Sequence, residues 1–232
     1  MYVKILVISG YLLLGPYVVF AEVPSSFAFA KKLAAQVYKA HPNSFYCGCK
    51  IEWIEKKGIP DLDSCGYEYR KQKLRAERIE WEHIMPAWQL GHQRHCWKSG
   101  GRKSCNTDKQ YRSMEADLHN LVPTVGEVNG DRSNYKFGEW NGEHTQYGEC
   151  PIVVNFKEKK VQPPPNTRGP IARIYLYMSD RYQLSLSGQQ RKLMEAWDSI
   201  YTPDKWECER NRLISDTQGW PNQYVSSKCK LQ

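Results

Sequence analysis

Eight cysteines, Cys47, Cys49, Cys65, Cys96, Cys105, Cys150, Cys208 and Cys229, constrain this 232-residue chain more than any other feature. All lie downstream of an apolar N-terminal segment, MYVKILVISGYLLLGPYVVFA, which has Lys4 near its start and the small-residue pattern Val19-Phe20-Ala21 at its end. That arrangement reads as a secretory signal peptide over residues 1–21, followed by one domain over residues 22–232. Gly10, Gly15 and Pro16 interrupt the segment and no basic flank follows it, which argues against an uncleaved membrane anchor. Export places the cysteines in an oxidising compartment, the periplasm or the outside of the cell, where an even count implies a disulfide framework. Cys47 and Cys49 are too close in sequence to bridge each other without strain, so each is expected to take a distant partner. Zinc is the competing reading at Cys96 and Cys105, which lie near His92 and His95, but no pair of CxxC or CxxH clusters at ligand spacing accompanies them. Bridges are therefore expected, with their connectivity open.

Between the cysteines the patterning is that of an α+β chain. Phe27-AFAKKLAAQVYKA carries apolar residues at helical spacing, with Ser25 and Ser26 as candidate caps and His41-Pro42 as a stop. Lys50-IEWIE and Arg78-IEWEHIMPAW read as strands, the second ending at or before Pro86. A basic, glycine-rich loop is expected over residues 97–107, then a helix from Asp108, then a short helix beginning near Pro123. Residues 162–170 look like a linker, and everything beyond them reads helical. The expected fold class is thus mixed α+β with a mainly helical C-terminal part stapled down by Cys208 and Cys229.

Formal net charge is +8, and loss of the segment holding Lys4 leaves about +7, so polyanions are the natural partners. Two clusters carry much of this charge: Arg70, Lys71, Lys73, Arg75 and Arg78, and a second formed by Lys98, Arg102 and Lys103 around Gly100-Gly101. A basic run alone is usually a solvated face, and these gain interest from what they flank. Ile79-EWEHIMPAW, Asp117-LHNLVP and Glu127-VNGDRSN each set small polar groups among apolar anchors. Hydrolysis of a phosphodiester needs a base for the attacking water and positive charge on the phosphate oxygens. His83 suits the first task, and Glu82 with Asn129 offers oxygen ligands to one hard divalent cation with positions left open. Adjacent side chains on a regular strand face opposite ways, so Glu82 and His83 share one phosphate only at a strand end or irregularity. Arg102 is placed to put a guanidinium on the phosphate. Taken singly each of these residues is more often structural: Glu82-His83 is an ordinary surface pair, Asn129-Gly130 a turn, and Asn120 a loop cap. A noncatalytic nucleic-acid-binding protein would use the same basic surface.

Longer motifs decide between these readings. FYCGC at 45–49, GIPDLDSCGY at 58–67, RIEWEHIMPAWQLGHQ at 78–93, GGRKSC at 100–105, MEADLHNLVPTVGEVNGDRSN at 114–134 and ARIYLYMSDRY at 172–182 together resemble the endonuclease I family of periplasmic and secreted bacterial nucleases. The resemblance implies a central ββα-metal motif and assigns His83 as general base, Glu82 and Asn129 as Mg²⁺ ligands and Arg102 as the phosphate-supporting arginine. It aligns Asn120 with the middle Asn of the His-Asn-His pattern, which fixes the loop around the base. It further implies one cation per site, with Mn²⁺ or Ca²⁺ able to replace Mg²⁺ in binding, and a monomeric endonuclease that cuts single- and double-stranded DNA, and RNA, without sequence preference, leaving 5′-phosphate ends.

Overall fold

The computed structural model describes residues 24–229, so the signal peptide expected over residues 1–21 lies outside the described residues. Helix α1 (Phe27–Tyr38) begins at Ser26, whose hydroxyl accepts from the Phe29 N–H at 3.3 Å, and buries Ala30, Leu33, Ala34 and Val37 along one stripe. Strands β1 (Lys50–Ile54) and β2 (Lys57–Asp61) form an antiparallel hairpin. After the short helix α2 (Lys73–Ala76) comes β3 (Ile79–His83), then helices α3 (Ala87–Gly91), α4 (His95–Ser104) and α5 (Lys109–Glu115). A 3-10 turn over Leu118–Asn120 leads into β4 (Leu121–Val125), which pairs antiparallel with β3 so that His83 faces Leu121 and Glu82 faces Val122. Helix α6 (Gly126–Arg132) follows without a loop, which completes a β3-β4-α6 unit.

The remainder is a small sheet and a helical layer. Strands β5 (Lys136–Phe137), β6 (Val153–Asn155) and β7 (Lys160–Gln162) associate in the order β5-β7-β6. Helices α7 (Pro165–Tyr182), α8 (Gly188–Ile200), α9 (Lys205–Gln218) and α10 (Gln223–Cys229) close the chain. The run Ile171 to Met178 in α7 is buried without interruption, as a helix must be when neighbours cover every side. The chain is therefore α+β, with its C-terminal part helical.

Three local expectations are corrected. The segment expected to be a loop over residues 97–107 is mostly α4, two short helical pieces joined at Gly100-Gly101. Gly101 makes the joint, with φ at 68° and ψ at −156°, a conformation that side-chain-bearing residues avoid. Pro123 does not start a helix: it sits in β4 opposite Trp81, tolerated because each strand of a two-stranded sheet is an edge. The linker-like stretch over residues 162–170 becomes the start of α7, where Pro165 occupies the first turn and gives up no helical hydrogen bond.

All eight cysteines are bridged, as Cys47–Cys150, Cys49–Cys65, Cys96–Cys105 and Cys208–Cys229. The Cys96–Cys105 bridge removes the zinc reading of that pair. Cys208–Cys229 ties α10 to α9, and Cys47–Cys150 joins the segment before β1 to the one before β6 across 103 residues.

Candidate active site

An open cleft of about 1410 Å³ runs over the β3-β4-α6 unit, with Glu82, His83, Arg102 and Asn129 all on its walls. His83 is the last residue of β3, and the chain leaves the sheet immediately after it. The strand end thus brings two adjacent side chains to one cleft. Ile84 and Met85, both fully buried, anchor the exit. Asn120 holds it by hydrogen bonds in both directions: its Oδ1 accepts from the Met85 N–H at 2.7 Å and its Nδ2 donates to the Met85 carbonyl at 3.0 Å. Asn120 is wholly buried and does not line the cleft, so its contacts position the loop and touch nothing bound there.

His83 is 7 % exposed, and its Nε2 lies 2.8 Å from the Glu115 carbonyl oxygen. A carbonyl only accepts, so Nε2 carries the hydrogen and the lone pair of the neutral ring resides on Nδ1. Burial pulls the imidazole down to about 4, with the carbonyl bond opposing the shift, and the ring is neutral at pH 7. Phe27 packs on it with centroids 4.7 Å apart.

Glu82 is 2 % exposed. Its Oε1 receives the Tyr46 hydroxyl at 3.2 Å and stands 3.1 Å from Nη1 of the wholly buried Arg132. Among the described residues no hydrogen bond engages its Oε2. Burial pushes this carboxyl up to about 7, and Arg132 and Tyr46 offset only part of that cost. Arg132 also donates to the His83 carbonyl at 3.1 Å and to the Ile84 carbonyl at 2.7 Å, so one guanidinium braces both the Glu82 carboxylate and the backbone at His83.

Asn129 projects from α6, and its Nδ2 donates to Glu80 Oε2 at 2.8 Å. Fixing the nitrogen fixes the opposite oxygen, and Oδ1 has no hydrogen-bond partner among the described residues. Glu80 is held in turn by Arg75 at 2.9 and 2.7 Å and by Arg78 at 3.0 and 2.7 Å. Burial favours its neutral form, but these guanidinium bonds more than reverse the effect and keep its pKa below the usual range. The contact depends on Gly130, because a Cβ there would come within 2.0 Å of Arg75 Nη1. Arg102 stands across the cleft with its side chain half exposed; Nε donates to Glu115 Oε1 at 2.6 Å, and the guanidinium lies over the Phe27 ring, 5.4 Å from its centroid.

These donors fit a divalent cation. Glu82 Oε2 and Asn129 Oδ1 are hard oxygens with no hydrogen-bond partner among the described residues, and the high pKa of Glu82 marks a buried carboxyl whose neighbours leave its negative charge undercompensated. Among the described residues no cluster of three His, Cys, Asp or Glu forms a closed cage. A cation here would keep open positions, which a catalytic site needs.

The sequence reading missed Glu80, Glu115, Arg132 and Tyr46. Glu80 had a usable signal, since strand periodicity sets it on the same face as Glu82. Arg132 and the Glu115 carbonyl had none, because nothing in a run of residues says which distant backbone a guanidinium or a ring nitrogen will reach. The first basic cluster also changes meaning: Arg70 pairs with Asp131, Lys73 with Glu77, and Arg75 and Arg78 with Glu80. Three carboxylates thus offset part of the charge of five cations. Among the described residues, the cations on the cleft wall with no ion pair are Lys31, Lys56 and Lys57.

A neutral imidazole, a carboxylate, an amide oxygen and a guanidinium gathered on one cleft beside a β-β-α unit are groups suited to phosphodiester hydrolysis, the chemistry of the nucleases. Within that class the chain belongs to the endonuclease I family, whose model matches residues 27–229. It is 53 % identical over 211 residues to the periplasmic deoxyribonuclease of Aeromonas hydrophila, covering 90 % of this chain and 89 % of that one. It is 55 % identical over 206 residues to an extracellular deoxyribonuclease of the same organism, covering 88 % and 91 %. To endonuclease-1 of Buchnera aphidicola subsp. Acyrthosiphon pisum (strain APS) it is 53 % identical over 204 residues, covering 88 % and 82 %. The protein is thus a nuclease of the periplasm or the extracellular space, in keeping with its four bridges. Among the described residues no helix is long and apolar enough to cross a membrane.

Proposed function

We propose that this nuclease is an endonuclease that hydrolyses DNA, single- and double-stranded, without reading sequence, with RNA as a second substrate, acting as a monomer. The observation that carries this reading is the set of three uncommitted acceptors on one cleft: Nδ1 of His83, Oε2 of Glu82 and Oδ1 of Asn129. Nδ1 of His83 takes the proton from a water lined up with the scissile phosphorus. Glu82 and Asn129 would hold one Mg²⁺, with Mn²⁺ or Ca²⁺ able to bind in its place, and the cation when bound offsets negative charge on the phosphate and leaving oxygen. Arg102 turns its terminal nitrogens to a non-bridging oxygen, while Glu115 fixes its direction through Nε. Water attack on phosphorus with departure of the 3′ oxygen leaves a 5′-phosphate and a 3′-hydroxyl. Lys31, Lys56 and Lys57 address the phosphate backbone, which carries no sequence information.

A plasmid assay tests this. Supercoiled plasmid with Mg²⁺ is expected to be nicked and then linearised, a chelator is expected to stop the reaction, and ligase alone is expected to reseal the nicks. Intact plasmid in Mg²⁺ would reduce the protein to a binder, and chelator-resistant cutting would remove the cation from the mechanism. An RNA transcript left whole under the same conditions would withdraw the second substrate. A single band at the monomer mass by light scattering checks the oligomeric state.

A separate prediction concerns Glu80. Glu80→Ala frees the Asn129 amide to rotate, and Mn²⁺ affinity measured by calorimetry on metal-free protein is expected to weaken by about 10- to 100-fold. Unchanged affinity would show that Asn129 is oriented by something else or does not hold the cation.

A further inference from the structure

The cleft carries an aromatic group that phosphate chemistry does not use. Trp88 follows Pro86 by two residues, lies in α3 and lines the same cleft as His83 and Arg102, yet remains 46 % exposed. His92, one turn further on, stacks against it with centroids 3.8 Å apart and planes 4° from parallel. The His92 ring is itself fixed, its Nδ1 lying 2.9 Å from the Trp88 carbonyl. The indole is therefore held in one orientation with one face covered.

We infer that Trp88, backed by His92, is a stacking platform for an unpaired base, and that it gives this nuclease a binding subsite specific to single strands. The inference rests on the nuclease reading above. Its physical basis is the pairing of a rigid, exposed π-face with unpaired cations along the same cleft, Lys31, Lys56 and Lys57. Base and backbone of a single strand satisfy both together. Duplex DNA satisfies only the cations, because its bases are already stacked on one another. An apolar or cationic partner would satisfy the indole and meet the lysines unfavourably. Every base has a π-face, so the subsite adds affinity without adding sequence preference.

The test uses the His83→Ala protein without added Mg²⁺, so that strands stay intact through the measurement, and compares octathymidylate with an eight-unit abasic strand of the same charge. The complete strand is expected to bind at least about fivefold more tightly, the lower end of base–aromatic stacking. Adding Trp88→Ala is expected to abolish that gap while changing affinity for a short duplex less than about twofold. Trp88→Phe, which keeps an aromatic face, is expected to retain most of the gap and so separates lost stacking from lost folding. Equal binding of the two strands overturns the platform, as does a gap that survives Trp88→Ala or an equal loss on duplex. Any of these alongside normal plasmid cutting by the wild type removes the platform alone. If wild type fails to cut and His83→Ala binds no nucleic acid, the nuclease reading falls with it.

Discussion

His83→Ala is expected to lower plasmid cleavage by about 10²- to 10⁴-fold, the range for loss of a positioned general base, with affinity for DNA retained. Lys31, Lys56 and Lys57, proposed above to address the backbone, keep their charges when a neutral ring is removed. Gel shift in Ca²⁺ and nicking rate in Mg²⁺ together check it; an alanine variant that cuts at more than a tenth of the wild-type rate would mean another group takes the proton. The same residue governs a pH prediction with a definite sign. Burial holds the His83 pKa near 4, so the ring is the neutral, proton-accepting form throughout pH 5 to 8 and sets no limb at 6.5. In the proposed mechanism Glu82, pushed up to about 7 by burial, must lose its proton to hold the cation, so metal binding is expected to weaken as pH falls below that value. Proton and cation then compete for one carboxylate. Rate–pH profiles at low and high Mg²⁺ are expected to show an acid limb that moves to lower pH as Mg²⁺ rises. A limb fixed near 6.5 at every Mg²⁺ concentration would assign it to an ordinary histidine instead.

Arg132→Met is expected to cost about 3–5 kcal/mol of folding stability, the usual loss when one member of a buried ion pair is removed. Arg132 is fully buried and Glu82 almost so, and the substitution leaves the carboxylate without its charge partner and the His83 and Ile84 carbonyls without their donor. For a chain of this size that corresponds to a fall in Tm of roughly 10 °C, read by calorimetry with the disulfides intact. Adding Glu82→Gln should recover part of the loss, because a neutral amide replaces a carboxyl that must otherwise stay charged without a partner or take up a proton. A double variant no more stable than Arg132→Met would show that the carbonyl contacts, not the carboxylate, account for the effect.

Much of this protein was legible in its sequence, and the legible part is local. The capped stripe of α1, the period-two pattern of β3 and its ending before Pro86 follow from side-chain periodicity and backbone sterics within a few residues. Glu82, His83, Arg102, Asn120 and Asn129 were identifiable by chemistry and motif, and the fold gathers four of them at the cleft while setting Asn120 behind it. Errors were local too. Pro123 and the prolines at the head of α7 are strong punctuation in sequence, and only an edge strand and a helix's first turn made them acceptable. What only the tertiary structure decided is pairing across distance. It chose Cys47–Cys150 from among many possible bridges, and it placed the Glu115 carbonyl, 32 residues from His83, against Nε2 so that Nδ1 becomes the free nitrogen. It also brought Arg132 to Glu82 and set carboxylates against much of a basic cluster that looked free. The amino-acid sequence by itself determined export, the bridges' existence and the chemical groups available. Which group meets which was decided by packing, because a hydrogen bond or ion pair between distant residues has no local signature: it is the by-product of burying a common core.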